Sequence, residues 1–285
     1  MITPGVRYML FATFCFATMN VFVKLLGNIG AVEIVFFRSI TSLIISYLFL
    51  KRANVSVWGN NKIPLMLRGL SGAIALILFF VTIHNIPLAS AVTFQFTSPI
   101  FTAILGIYIA KEKVHPLQWL FFAMAFGGII LIQGFDTRVS TLYISMGLLS
   151  ALFAGVAYNI IRTLKTSEHP LVIVFYFPLA TLPITGIYLL FDFTMPVGVE
   201  WLYLLIVGLL TQAAQYYMTK SYQSEELSKV ASLNYLGILY ALGYGWVLFE
   251  EHFNLMTYVG MSIVLSGVIL NIWFKHYTTA RKLVN

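Results

Sequence analysis

Residues 88–112 (LASAVTFQFTSPIFTAILGIYIAKE) align without a gap with residues 227–251 (LSKVASLNYLGILYALGYGWVLFEE), 139 positions further along the chain. Identical pairs in this alignment are Leu88 with Leu227, Gly106 with Gly245 and Glu112 with Glu251. Chance matches in apolar sequence are mostly Leu and Ile, so Gly and Glu pairs in one register indicate a true repeat. The two segments therefore predict two copies of one structural unit.

The same shift applies to the rest of the chain. It pairs Asn20 with Asn159, residues 34–36 with 173–175, Gly69 with Gly208, and residues 128, 130 and 131 with 267, 269 and 270. We therefore predict two integrated repeats, residues 1–138 and 139–285.

The composition predicts a membrane protein. Of the 285 residues, 60% are hydrophobic and 9% are charged, whereas a soluble domain carries about 25% charged residues. The net charge of +7 is not gathered into a compact basic run, so we predict no nucleic-acid partner. The single cysteine, Cys15, excludes an intrachain disulfide and a cysteine-based metal cluster, and no cofactor or metal site is predicted.

Runs of about 20 apolar residues, each long enough to cross the hydrocarbon layer, occur ten times. We predict an all-α integral membrane protein with ten transmembrane helices, at residues 5–26, 31–50, 64–84, 88–110, 115–134, 141–163, 169–191, 199–220, 227–249 and 254–275.

The distribution of Lys and Arg predicts the orientation. With a cytoplasmic N-terminus, 14 of the 17 basic residues, Arg68 among them, fall on the inner side, two fall outside, and Arg38 stays within a span. The positive-inside rule therefore places both termini in the cytoplasm. The predicted location is a bacterial inner membrane. Each repeat contains five spans, and an odd number inverts the second repeat relative to the first. Inverted repeats are typical of secondary transporters with a midplane site and alternating access.

The sequence also resembles the drug/metabolite transporter superfamily, in particular its ten-span members with two EamA-type domains. The resemblance is carried by IVFFRSITS around Arg38, by the stretches 86–113 and 225–251, and by GGIILI and SGVILN. Gly237 and Ile238 stand opposite Ser98 and Pro99, so a kink in span four need not recur in span nine. The resemblance implies alternating-access transport of small polar or amphipathic organic solutes.

Arg38 is the basic residue that we predict to lie well inside a span, about 10 Å below the start of span two at 1.5 Å per residue. A charge inside the membrane is a functional hypothesis by default, and a guanidinium can bind a carboxylate bidentately. The alternative is a structural residue that pairs with Glu33 or caps carbonyl groups. Glu33 and His84 are candidates for gating or coupling.

Polar residues recur at equivalent positions of the repeats: Asn20 and Asn159, Thr93 and Ser232, Gln95 and Asn234. Amides in hydrocarbon must face protein or a wet cavity. Two roles fit these amides. One is hydrogen bonding between helices, and the other is substrate binding. Gln95, Asn234, Asn20 and Asn159 are therefore candidate substrate-binding residues.

Gln212 and Tyr216 align with apolar residues of the first repeat. They are four residues apart and therefore lie on one helix face. A site for an asymmetric solute must break the symmetry of the repeat, so we predict both as binding residues. Tyr235 is predicted as a cavity wall, with packing as the alternative reading. Pro99, Pro178 and Pro183 fall inside predicted spans, where proline kinks a helix.

The predicted function is a secondary transporter of small organic metabolites, amino acids or similar zwitterionic or anionic solutes. The alternatives are transport of cationic, aromatic or nucleoside-like metabolites, and a passive facilitator. No nucleotide-binding or zinc-hydrolase motif occurs, so an enzyme is not predicted. The expected partners are a metabolite and membrane lipid, with a coupling proton or counter-substrate left open, in a monomer or weak homodimer.

Overall fold

The computed structural model describes most of the chain. The described residues are 3–85, 94–95, 97–109, 111, 114–133 and 140–249, together with 255–256, 258–260, 262–263, 266–267, 269–271 and 273–274. Regular structure in these residues is helical, and no strand occurs among them. An all-helical fold is therefore confirmed for the described part of the chain.

Ten α-helices have both ends among the described residues. They are α1 (Pro4–Leu25), α2 (Ala31–Arg52), α3 (Lys62–Asn85), α4 (Ser98–Tyr108), α5 (Pro116–Gln133), α6 (Thr141–Thr163), α7 (Pro170–Leu189), α8 (Glu200–Ser224), α9 (Leu227–Val230) and α10 (Leu236–Phe249). A 3-10 segment, Ala231–Tyr235, joins α9 to α10. Proline begins α1, α5 and α7, where its missing N–H costs no hydrogen bond.

Among the described residues, five helices are long and apolar enough to cross a membrane, namely α1, α2, α3, α6 and α7. Their bounds agree within two residues with predicted spans one, two, three, six and seven. Apolar side chains are exposed on their outer faces, with Leu48 57% and Ile63 76% accessible. Such surface requires lipid rather than water. The other five spans and the orientation remain predictions.

The ninth predicted span is not one continuous helix. It is divided into α9, the 3-10 segment and α10, which corrects the single helix predicted for residues 227–249. In the first repeat α4 begins at Ser98, the position that pairs with Gly237. The helices α4 and α10 therefore begin within one residue of equivalent positions, although only the first repeat has a proline there. Pro99 is the second residue of α4.

The helices pack according to a pseudo-two-fold relation between the halves. The most extensive contacts are those of α1 with α8 and of α3 with α6, and exchanging the repeats converts one pair into the other. The same exchange converts the pair α3–α7 into the pair α2–α8. It also converts the pair α4–α6 into the pair α1–α10. The helices of all four pairs are in contact. The helix pair α2–α7, also in contact, is converted into itself and therefore lies on the pseudo-axis.

Two paired glycines allow close helix crossings. A Cβ on Gly69 of α3 would lie 2.5 Å from the Tyr176 carbonyl oxygen, and one on Gly208 of α8 would lie 2.5 Å from Thr41 Cβ. Contacts this short do not occur between real side chains and backbone, so each site requires glycine. Small residues at helix crossings are typical of membrane bundles.

We expect Gly69→Ala to lower the free energy of unfolding by about 1–3 kcal/mol, because the added methyl collides with backbone that cannot move aside. Thermal unfolding in detergent measures the change. Gly127 of α5 is the control, since a Cβ there meets nothing within 4 Å. Gly127→Ala should be neutral or stabilising by about 0.5–1 kcal/mol. Equal effects of the two substitutions would contradict the close crossing.

Candidate functional site

A cavity of about 160 Å³ lies between the two halves. Helices of the first half supply Asn20, Arg38 and Arg68 to its wall, while the second half supplies Phe177 and Gln215. Most of the remaining wall is apolar, from residues such as Phe79, Phe80 and Leu76. A mainly apolar cavity with a few convergent polar groups is the usual form of a small-molecule site.

Arg38 is 1% exposed and lies in the eighth position of α2. Its guanidinium carbon is 5.5 Å from the centre of the Phe177 ring and 5.9 Å from that of Phe80. Its Nη1 is 3.9 Å from Met19 Sδ, whereas Nε and Nη2 have no partner among the described residues. Glu33 and Arg38 are both described and form no ion pair, so the alternative of that pairing is not observed.

The sequence predicted Arg68 as one of the inner charges and not as a site residue. It lies in the seventh position of α3, is 2% exposed, and lines the same cavity as Arg38. Its Nη2 donates a hydrogen bond of 2.8 Å to Gln215 Oε1. The prediction was wrong because α3 begins at Lys62, two residues earlier than expected, and carries Arg68 about two turns into the bundle.

The repeat places Arg38 and Phe177 at equivalent positions, 139 residues apart. They lie on α2 and α7, and the guanidinium faces the ring across the pseudo-axis. Likewise Gln215 pairs with Leu76, and both line the cavity. The residues that line the cavity are therefore asymmetric, although the helices that carry them are related by the pseudo-two-fold. Because Arg38 and Phe177 occupy aligned positions of the two repeats, the alignment could have identified Phe177 as a cavity residue.

Three of the predicted amides line the cavity. Asn20 Oδ1 is buried without a partner among the described residues. Gln95 Oε1 lies 2.9 Å from the Ser150 hydroxyl, and Asn234 Nδ2 donates to the Tyr222 hydroxyl at 3.1 Å. Asn20 is thus the amide most open to a ligand.

Asn159 and Gln212 lie elsewhere and join helices. Asn159 Nδ2 donates to the Thr102 carbonyl of α4 at 3.0 Å. Gln212 accepts a hydrogen bond from Ser42 and donates one to Ser46 at 2.8 Å, which fixes α8 to α2. The structure therefore corrects the placement of Gln212, since Gln215, three residues further on, is the glutamine that faces the cavity.

The two predicted tyrosines also lie away from the cavity wall. Tyr216 packs beside the Tyr217 ring, and the Lys220 ammonium is 5.2 Å from its centre. Tyr235 is fully buried in the hydrophobic core. Its side chain therefore has the packing role that was the alternative reading. The aromatic residues that do line the cavity include Tyr158 and Phe16.

Glu33 lies beside a second cavity, of about 250 Å³, at the end of the bundle where α2 begins. Its Oε2 accepts a 3.1 Å hydrogen bond from the Thr194 backbone N–H, in the connection between α7 and α8. Glu33 therefore holds a connection and does not face Arg38. The side chain of His84 lies outside the described residues.

The opposite end of the bundle, where α1, α3 and α7 begin, is closed by a polar network, and we call it the clamped end. Glu168 Oε1 accepts hydrogen bonds from Asn60 N–H at 2.7 Å, from Asn61 N–H, and from Asn61 Nδ2 at 3.1 Å. Ser221 donates to the Gly5 carbonyl at 2.7 Å. The network therefore ties residues 60–61 of the first half to the start of α7 in the second.

No group of three or more His, Cys, Asp or Glu residues suited to a metal ion occurs among the described residues. The described wall of the cavity also contains no carboxylate. The site therefore offers hydrogen-bond donors and positive charge, in a mainly apolar enclosure.

Comparison with known proteins gives consistent matches along the chain. Residues 3–134 and 141–273 each match the EamA-like transporter family. The pseudopaline exporter of Pseudomonas aeruginosa is 32% identical over 273 residues, covering 94% of this chain and 96% of that protein. Solute carrier family 35 member G1 of Homo sapiens is 26% identical, covering 95% and 80%. A crystal structure with 15% identity covers 100% of both chains with a TM-score of 0.81, so the overall fold is shared.

Proposed function

Because this chain belongs to the EamA-like transporter family, we propose that it carries small anionic or zwitterionic organic metabolites, such as amino acids, by alternating access. Its relatives are named as transporters, which confirms the predictions of an EamA-type transporter and of a protein that is not an enzyme. The substrate class is our proposal. The observation that supports it is the buried Arg38, which has unpartnered nitrogens in a cavity between the two halves.

Alternating access is supported by the pseudo-symmetric packing. If two halves of the same fold exchange conformations, a cavity on their pseudo-axis opens first to one side and then to the other. Arg38 and Phe177 occupy that position here. We propose that the cavity is the central binding site of such a cycle.

For the topology we propose ten spans in a bacterial inner membrane, with the clamped end in the cytoplasm. Arg52 ends α2, Lys62 begins α3 and Arg162 lies in the last turn of α6, so all three basic residues lie near this end. Asp192 and Glu200 lie near the other end. An excess of Lys and Arg on one side is the usual mark of the cytoplasmic face.

Transport of cations is the less favoured reading. A buried cation site in a membrane bundle ordinarily contains a carboxylate, and the described cavity wall has two arginines instead. Both guanidinium groups repel a positive solute. The aromatic wall remains suitable for apolar parts of an anionic substrate.

Counterflow in proteoliposomes tests the proposed function. We expect saturable uptake of labelled L-glutamate or L-alanine, accelerated several-fold when the vesicles are preloaded with the same unlabelled amino acid. Acceleration requires a site that is exposed alternately, so a carrier shows it and a passive pore does not. Uptake without acceleration would indicate a facilitator, and uptake of cationic solutes alone would contradict an anion-binding site.

A further inference from the structure

Two buried guanidinium groups converge on one aromatic ring. The guanidinium carbon of Arg68 is 5.0 Å from the centre of the Phe177 ring, and that of Arg38 is 5.5 Å from it. The sum of these distances, about 10.5 Å, is the upper limit of the separation between the two guanidinium carbons. Both positive charges therefore lie within reach of one small solute.

The hydrogen-bonding capacity of both groups is largely unused. A guanidinium has five N–H donors. Among the described residues, Nε and Nη2 of Arg38 and Nε and Nη1 of Arg68 have no partner. Arg68 donates its hydrogen bond to the side-chain amide of Gln215. Because this amide is neutral, it supplies no countercharge.

Unpaired charges in a bundle core are costly, because removal from water is not offset by an opposite charge. One such arginine would match one acidic group. Two of them, facing the same cavity and without a described carboxylate, match two units of negative charge. The Phe177 ring, which both guanidinium groups approach, offers an apolar surface to whatever connects the acidic groups.

We propose that the cavity binds an organic solute with two acidic groups joined by a short apolar spacer, one group at Arg38 and the other at Arg68, with the spacer against Phe177. This inference rests on the proposed function, since it specifies the substrate class of the same site. It differs from that function in requiring the second charge, which a neutral amino acid lacks.

A length series of dicarboxylates tests the proposal on the unaltered protein. Malonate, succinate, glutarate and adipate are compared with butyrate and valerate by thermal shift and calorimetry of the full chain in detergent. Two cations at fixed positions select one spacer length. We expect an affinity maximum within the series, with at least tenfold preference for that dicarboxylate over the monocarboxylates. Equal affinity for monocarboxylates and dicarboxylates would overturn the proposal.

Arg68→Gln and Arg68→Lys identify the second anchor. We expect Arg68→Gln to abolish the preference for dicarboxylates, and Arg68→Lys to retain it in part and to move the preferred spacer length. Lys62→Gln is the matched control, because Lys62 is an exposed cation on the same helix, and it should leave the preference unchanged. Preference persisting in Arg68→Gln would contradict the role of Arg68.

The results separate this inference from the proposed function. If L-alanine and L-glutamate are both carried and dicarboxylates have no advantage, the transporter assignment stands and only the two-anchor site fails. If no organic anion binds and cationic solutes are carried instead, both fail.

Discussion

Arg38→Gln is expected to stabilise the substrate-free protein and to weaken its binding of organic anions. The substitution removes a buried cation that has no countercharge among the described residues, and such a charge costs several kcal/mol. Each kcal/mol gained would raise the melting temperature by about 2–4 °C. Loss of charge-assisted hydrogen bonds worth about 1.5–3 kcal/mol should lower anion affinity about 10- to 100-fold. Unfolding with and without glutamate or succinate measures both effects.

Higher stability of the substrate-free variant together with weaker anion binding would identify Arg38 as a binding residue rather than a structural one. Arg52→Gln is the control, since Arg52 is an exposed arginine at the end of the same helix. We expect it to change neither the stability nor the affinity. A fall in the melting temperature of substrate-free Arg38→Gln, with anion affinity unchanged, would show that Arg38 supports the fold.

Glu168→Ala is expected to lower the free energy of unfolding by about 2–4 kcal/mol. Glu168 is 7% exposed and its Oε1 accepts three hydrogen bonds from Asn60 and Asn61. A hydrogen bond to a charged acceptor contributes about 1.5–3 kcal/mol, and water replaces part of this at the part-buried N–H groups of Asn60 and Asn61. Thermal unfolding measures the loss, and hydrogen exchange should show faster exchange of the amides at residues 60 and 61.

Glu168→Gln provides the matched variant, because its amide oxygen still accepts hydrogen bonds while the charge is lost. We expect it to recover most of the stability of the unaltered protein. If Glu168→Gln and Glu168→Ala were equally unstable, the negative charge would matter more than the accepted hydrogen bonds. If neither lost stability, the clamp would contribute nothing to folding.

The internal repeat predicted more of the helix packing than the amino-acid composition did. A single register of 139 residues predicted which glycines are equivalent, and Gly69 and Gly208 indeed form equivalent crossings, α3 with α7 and α8 with α2. This was predictable because equivalent sequences fold into equivalent helices, and equivalent helices have equivalent neighbours. The bounds of α6, identical to the prediction, follow from a run of apolar residues between polar connections.

The rotation of each helix was not predictable from the sequence. In α8, Gln212 and Gln215 are both polar residues in an apolar helix, and the sequence does not say which one faces the centre. The structure directs Gln212 to Ser42 and Ser46 of α2, and Gln215 to Arg68. A polar residue in a membrane helix requires a polar neighbour, and the neighbour is defined only by packing.

The sequence by itself determined an apolar helical bundle, its two repeats and Arg38 as a charge within it, because hydrophobic length and internal similarity are properties of the chain alone. Only the tertiary structure decided that Arg68 joins Arg38 at Phe177, and that Asn159, Gln212, Tyr216 and Tyr235 do not line the cavity. The physical reason is that a binding site is formed by side chains distant in sequence, and their meeting depends on helix rotation and depth, which packing between the halves sets.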